Sequence, residues 1–304
     1  MSRAITDTFL KALQSGCLAK LTERVRNDDT LMLALRGNYV NIYYRGGSIL
    51  NISEQNARYS AWFDKNYAKD NAPVPTLPSI SVDDDCASWV AALPSLKELM
   101  NSYFAKKRKS EREFQQLVAW ENNRSLIASD TEYFITDIEF ADADQSARLD
   151  MLGLKWLSTN RKDETTCRPV FIEMKYGIGA YDGDAGIVKH INDLQMILSD
   201  SEKCARLNRT IEDQFDQLLQ LELVQFNRSV AYKRATVSGR PEVIFLLANH
   251  NPRSKKLLNV LSTVEDPTHF DLRFFTASFA GYGMHDACML GLRDFRELLK
   301  QLSS

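Results

Sequence analysis

The stretch that most restricts this chain is Arg168-Pro-Val-Phe-Ile-Glu-Met-Lys-Tyr-Gly177. Side chains on a strand alternate between faces. Glu173 and Lys175 therefore share one face, while Val170, Ile172, Met174 and Tyr176 share the other and point into a core. Charges on such an apolar strand are costly unless they are paired or hold a metal. A second strand-like segment, Ala147–Leu157, precedes it and carries Asp150. The fold must place this strand in a sheet and still give Asp150, Glu173 and Lys175 a role. A surface ion-pair network of Arg148, Asp150, Glu173 and Lys175 is the plain alternative.

The elements around this pair set the class. Ile5 to Val25 has helical spacing, and Leu31–Ile52 reads as three short strands turned at Arg36-Gly37-Asn38 and Arg45-Gly46-Gly47. Arg36, Tyr39, Tyr43, Tyr44, Arg45, Tyr59, Trp62 and Phe63 would then mix cations with rings on a small sheet, either to stack bases or to pack against the main domain. A proline-rich link, Asn71–Asp85, leads to a helix over Ala87–Phe104 and to the basic run Lys106, Lys107, Arg108, Lys109 and Arg112. Ser110–Asn122 opens with Ser-x-x-Glu, a capping-box pattern. Strands at Tyr133–Phe140, Ala147–Leu157 and Pro169–Tyr176 follow, then helices at Ala185–Leu198 and Leu207–Phe226. The chain closes with strand Glu242–Ala248, helix Ser254–Val264, strand Leu272–Phe279 and helix Leu290–Leu302. Two domains are expected: an N-terminal region over 1–85 with a small antiparallel sheet, and an α/β domain over 86–304.

Composition narrows the function. A net charge of −2 over 304 residues gives no global pull toward nucleic acid, so any such binding needs a local patch. The five cysteines lie apart, without CxxC or histidine spacing for zinc, as expected of reduced thiols in a cytoplasmic protein. No run reaches the ~18 apolar residues of a membrane span. Neither GxSxG, Walker A nor kinase motifs occur, and the four histidines form no HxxxH.

The acid followed by Glu173-Met174-Lys175, the only acid-x-lysine triplet in the chain, resembles the D…ExK pattern of the PD-(D/E)xK nuclease superfamily. The helix–three strands–helix–strand order from Ser110 to Phe279 is similar to its restriction-endonuclease-like αβββαβ core, a mixed sheet flanked by helices. Leu149 stands where the superfamily's name has proline. The resemblance implies Mg²⁺ (or Mn²⁺) held by Asp150, Glu173 and the Met174 carbonyl, with Lys175 orienting or deprotonating the attacking water. It further implies a helix glutamate, for which Glu113 is the choice over Glu111 and Glu121. On the helix KHINDLQ, Gln195 and Lys189 are candidates to orient substrate or water. The glycines between Gly177 and Gly186 form a loop that can approach a phosphate backbone or merely turn. The resemblance implies metal-dependent hydrolysis of nucleic acid, DNA foremost, in the family's terms of restriction, defence or repair, by a protein able to act as a homodimer. The alternative is a nuclease-like fold without catalysis, binding nucleic acid or serving assembly.

Overall fold

A computed structural model of the chain describes residues 3–55, 58–68, 72–78, 83–142, 147–161, 165–183, 185–226, 234–251, 254–277, 284, 286 and 289–303. The division differs from the expected break at residue 85. One unit comprises Met1–Trp120 with Asp213–Gln225, and the other Glu121–Glu212 with Phe226–Ser304.

In the first unit the expected N-terminal helix is two, α1 (Asp7–Gln14) and α2 (Ala19–Arg26), separated around Gly16. Four strands follow in antiparallel order: β1 (Leu31–Leu35), β2 (Tyr39–Tyr44), β3 (Gly47–Gln55) and β4 (Arg58–Trp62). The fourth was not expected. The β2–β3 turn places Arg45 at φ 51° and Gly46 at φ 72°, the pair of positive angles that a tight hairpin needs. Gly46 is also a docking point, because its N–H donates to Gln116 Oε1 at 2.8 Å. A Cβ there would stand 2.3 Å from the Arg112 backbone. Arg112 and Gln116 lie on α4 (Ser110–Asn123), which follows the long helix α3 (Asp83–Lys106). The second half of α6 (Ser201–Gln220) returns to this unit. There Gln217 brackets Ile5 through N–H···Oε1 at 3.0 Å and Nε2–H···O at 2.8 Å, and Gln214 donates to the Leu35 carbonyl at 3.0 Å.

The meander's rings, read either as base-stacking or as packing residues, are mostly inside. Arg36, Tyr43, Tyr44, Tyr59 and Phe63 are buried, and Arg36 donates to the Tyr43 hydroxyl at 3.1 Å. Trp62 alone among the buried-or-exposed extremes of this set is exposed. The meander is therefore core, because apolar ring area is worth more against protein than against water.

The second unit is α/β with a mixed sheet. Its strands are β5 (Tyr133–Asp142), β6 (Ala147–Lys155), β7 (Thr166–Tyr176), β8 (Thr236–Val237), β9 (Glu242–Ala248), β10 (Asp271–Ala277) and β11 (Leu290–Gly291). They run in the order β11-β10-β9-β7-β6-β5, with β8 beside β7. The strands β5, β6 and β7 are antiparallel neighbours, while β7, β9 and β10 run parallel. Helices α5 (Ile187–Leu198), α7 (Lys255–Leu261) and α8 (Leu292–Ser303) belong to this unit. Every residue of β9 is buried, as a continuous apolar run between parallel neighbours requires. Phe245 stacks on Phe274 at 5.9 Å, and Phe274 on Phe295 of α8 at 4.7 Å.

Two local features hold the sheet. Asn123 fills the β5 irregularity near Ile135, donating to its carbonyl at 2.6 Å and accepting from its N–H at 2.9 Å. On β6, a Cβ at Gly153 would come within 2.3 Å of the Phe134 carbonyl oxygen. Gly153→Ala should therefore cost about 1–3 kcal/mol or more through overpacking, read as a lower urea midpoint. An unchanged midpoint would show that β5 can yield at no cost.

Toward the amino ends of β7 and β9 lies a buried charged cluster. Glu242, fully buried, accepts from the Tyr133 hydroxyl at 2.6 Å and from Lys155 Nζ at 3.4 Å. Arg168 and Arg273 approach the same carboxylate at 3.8 and 3.9 Å. Lys155 also pairs with Asp286. Arg168 reaches Asp271 at 2.6 Å. Among the described residues, no helix is long and apolar enough to cross a membrane.

Candidate functional site

The register brings the first candidates together. Strands β6 and β7 pair from Lys155↔Arg168 to Met151↔Ile172, with Leu152 facing Phe171. Alternation then puts Asp150 on the same face as Leu152, and Glu173 and Lys175 on that of Phe171, so the three share one face. The ladder gives way to a side chain at this point: Asp150 Oδ2 accepts the Met174 N–H at 2.9 Å. A strand residue directs its N–H and C=O to the same neighbour, so the Met174 carbonyl lies on the Asp150 side as well.

Glu173 is 1% exposed and Lys175 3%, which excludes a solvated surface bridge for this pair. Arg148 is exposed. Lys175 Nζ stands 3.8 Å from Glu173 Oε2, an ion pair beyond hydrogen-bonding length. His190 Nδ1 lies 2.8 Å from the same oxygen. Yet among the described residues neither Glu173 oxygen makes an aligned hydrogen bond, so the imidazole is close but turned away from donation. A buried carboxylate with no donor is expensive to keep, and a cation or a polar ligand would repay it. Phe245 lies opposite Glu173 in the β7–β9 register, so the Phe245–Phe274–Phe295 stack walls the same face.

His190 was passed over in the sequence because it has no histidine partner. A different signal marks it. The buried residues of α5 are Ile187, Ile191, Leu194, Ile197 and Leu198, and His190 sits three residues after the first and four before Leu194. It is thus a polar residue at the edge of the helix's apolar stripe.

The remaining candidates are engaged elsewhere. Gln195 lies about 140° round α5 from His190 and donates to Thr268 Oγ1 at 2.6 Å. Lys189 forms an i,i+4 pair with Asp193 at 2.5 Å, partly exposed. Glu113 belongs to the first unit, where Arg45 Nε donates to its Oε1 at 2.8 Å; the capping role suggested by Ser110-x-x-Glu113 is not the contact its carboxylate makes.

The carboxyl ends of β7 and β9 carry further polar groups. The Tyr181 hydroxyl and His250 Nδ1 are 2.9 Å apart, and Asn249 Nδ2 donates to the Tyr176 hydroxyl at 2.7 Å. Burial pushes the Tyr181 phenol up to about 12 and lowers His250, so both are held neutral. Such strand ends are where open α/β sheets place ligands.

Among the described residues, no group of three or more His, Cys, Asp and Glu side chains is placed to hold a metal ion. What the site offers instead is two carboxylates and a carbonyl. Magnesium commonly binds through one or two carboxylates and fills its remaining positions with water and substrate phosphate, so this donor set and the donor-free Glu173 carboxylate suit it. No protein-family model, curated protein or solved structure matches the chain.

Proposed function

We propose that the chain is a Mg²⁺-dependent nuclease of the PD-(D/E)xK type, with a restriction-endonuclease-like core, hydrolysing nucleic-acid phosphodiesters and DNA foremost. The observation that carries this is the Glu173 carboxylate: buried, without an aligned donor, and on one sheet face with Lys175 and Asp150. The run of antiparallel β5, β6 and β7, then α5, then β9 parallel to β7, supports the fold reading.

Asp150, Glu173 and the Met174 carbonyl would hold the ion. When bound, it supplies a lowered pKa for coordinated water and charge stabilisation on the phosphate. The protein does the rest. The Met174 N–H fixes one Asp150 oxygen and so orients its carboxylate. Lys175, held in a nearly dry environment, places a positive charge where the phosphate gains negative charge and aligns the attacking water. His190 is a positioning residue that limits where the Glu173 carboxylate can turn. Burial of Glu173 and Lys175 strengthens their interactions by lowering the local dielectric.

The test is cleavage of circular, linear and single-stranded DNA, and of RNA, with Mg²⁺, Mn²⁺ or EDTA. Wild type should cut only with metal, and Asp150→Ala and Lys175→Ala should each lose about 100- to 1000-fold. Equal inertness of wild type and variants with every metal and substrate would overturn the proposal.

A further inference from the structure

At the end of α3 the first unit has a cavity of about 450 Å³, lined by Tyr67, Leu99, Ser102, Tyr103 and Lys106 among others. That volume falls within the range of sites for small ligands. Two of its walls are aromatic: Tyr67 and Tyr103 meet edge to face at 5.0 Å, and Tyr67 is almost fully buried while Tyr103 is half-buried. Lys106 lines the cavity and also begins the chain's densest basic run. Lys106, at the end of α3, is exposed, as are Lys107 and Arg108 in the turn between α3 and α4, where Lys109 is partly so. Among the described residues no carboxylate pairs with Lys107, Arg108 or Lys109. Nearby Glu113 is neutralised by Arg45.

A solvated helix face spreads its charges among acids. Here Lys107, Arg108 and Lys109 stand together on a turn, and an aromatic cavity opens at the neighbouring Lys106. Cations in a row suit phosphates, and an aromatic-walled cavity suits one flat ring. We infer that this corner of the first unit binds a single-stranded nucleic-acid segment, with a base in the Tyr67–Tyr103 cavity and its phosphates on Lys107, Arg108 and Lys109. A paired base cannot enter a cavity without leaving its stack, so the site takes single strands over duplex. The inference names a substrate form for the nuclease reading but does not depend on it, because binding is measured without divalent metal.

The experiment is fluorescence anisotropy of labelled oligo(dT), oligo(U) and a hairpin duplex with the full chain in EDTA, over a salt series. Both single strands or one of them should bind more tightly than the duplex, and the comparison identifies the sugar. The triple variant Lys107→Glu, Arg108→Glu, Lys109→Glu should weaken binding more than tenfold and flatten the salt dependence by about two to three phosphate contacts. Tyr103→Ala should weaken single-strand binding by about tenfold and leave duplex binding unchanged. Because Tyr103 also packs on Tyr67, Ala105→Glu serves as a second variant: it adds a carboxylate at an exposed lining position and removes no core. It should weaken single-strand binding as well. Absent binding, single-strand binding that both cavity variants and the triple variant leave unchanged, or wild-type affinity for the duplex equal to that for the single strands would overturn the inference. If oligonucleotides bind as described while no substrate is cut, this inference stands and the hydrolytic reading falls.

Discussion

Replacing Glu173 and Lys175 together by methionine should give a more stable protein and, under the proposed nuclease reading, one that does not cut. The pair sits at 1% and 3% exposure, 3.8 Å apart, and the carboxylate makes no aligned hydrogen bond. Two desolvated charges at that separation recover only part of their hydration. Exchanging such a pair for apolar groups of similar volume is neutral or stabilising by about 1–4 kcal/mol. Methionine suits the exchange because it is unbranched and adapts to an irregular space. Asp150 keeps the Met174 N–H, so the strand geometry survives. Lys175→Met alone has the opposite sign: it strands the Glu173 carboxylate beside a histidine and should cost about 3–5 kcal/mol. Urea unfolding in metal-free buffer measures both. A double variant as unstable as the single one would mean that the charges support the fold, and the case for a ligand-binding pair would go with it. Stability surrendered at a site and returned when the site is removed is the signature of residues kept for chemistry.

The second large effect lies in the Glu242 cluster, and there the sign is the reverse. Glu242 is fully buried but richly partnered, by Tyr133 at 2.6 Å, Lys155 at 3.4 Å and two arginines near 4 Å (3.8 and 3.9 Å). Glu242→Ala leaves a buried lysine and a buried phenol without their shared acceptor and should cost about 3–5 kcal/mol. Glu242→Gln retains an oxygen for Tyr133 and should cost less than the alanine change. Burial first, and then the adjacent Glu242 charge, raise Tyr133 well above its ordinary value of 10.0. The folded state therefore holds this proton more tightly than the unfolded state does. That contribution is complete below pH 10 and declines as pH rises above it. An alkaline unfolding midpoint that Tyr133→Phe moves upward would confirm the linkage. Equal midpoints for wild type and Tyr133→Phe would remove it.

Both clusters sit on strands whose nature was legible in the residues, because alternation and apolar runs are local signals. The β7 alternation located Glu173 and Lys175, and the uninterrupted Glu242–Ala248 run located β9. What was not legible depended on partners distant in sequence. Glu113 looked like a capping glutamate, and nothing near it in the chain announces Arg45, 68 residues away. Helix α6 reads as one amphipathic run, yet its two halves serve different units. The meander's tyrosines could face water or protein with equal local logic, and only the buried area decides. β4 is short, with an exposed, mixed composition that gives little strand signal. His190 was legible through its place on the α5 stripe.

The route of the chain through the two units has an evolutionary and practical consequence. Because 213–225 returns to the unit formed by 1–120, no single crossover between genes can transfer either unit without part of the other. A fragment that begins at residue 121 would carry Phe215, Leu218 and Leu219, buried in the intact chain, without the N-terminal segments that belong with them. It would also lose the Gln217 bracket on Ile5. Fusion partners or tags therefore belong at the ends of the full chain, and any grafted version has to carry both halves of α6.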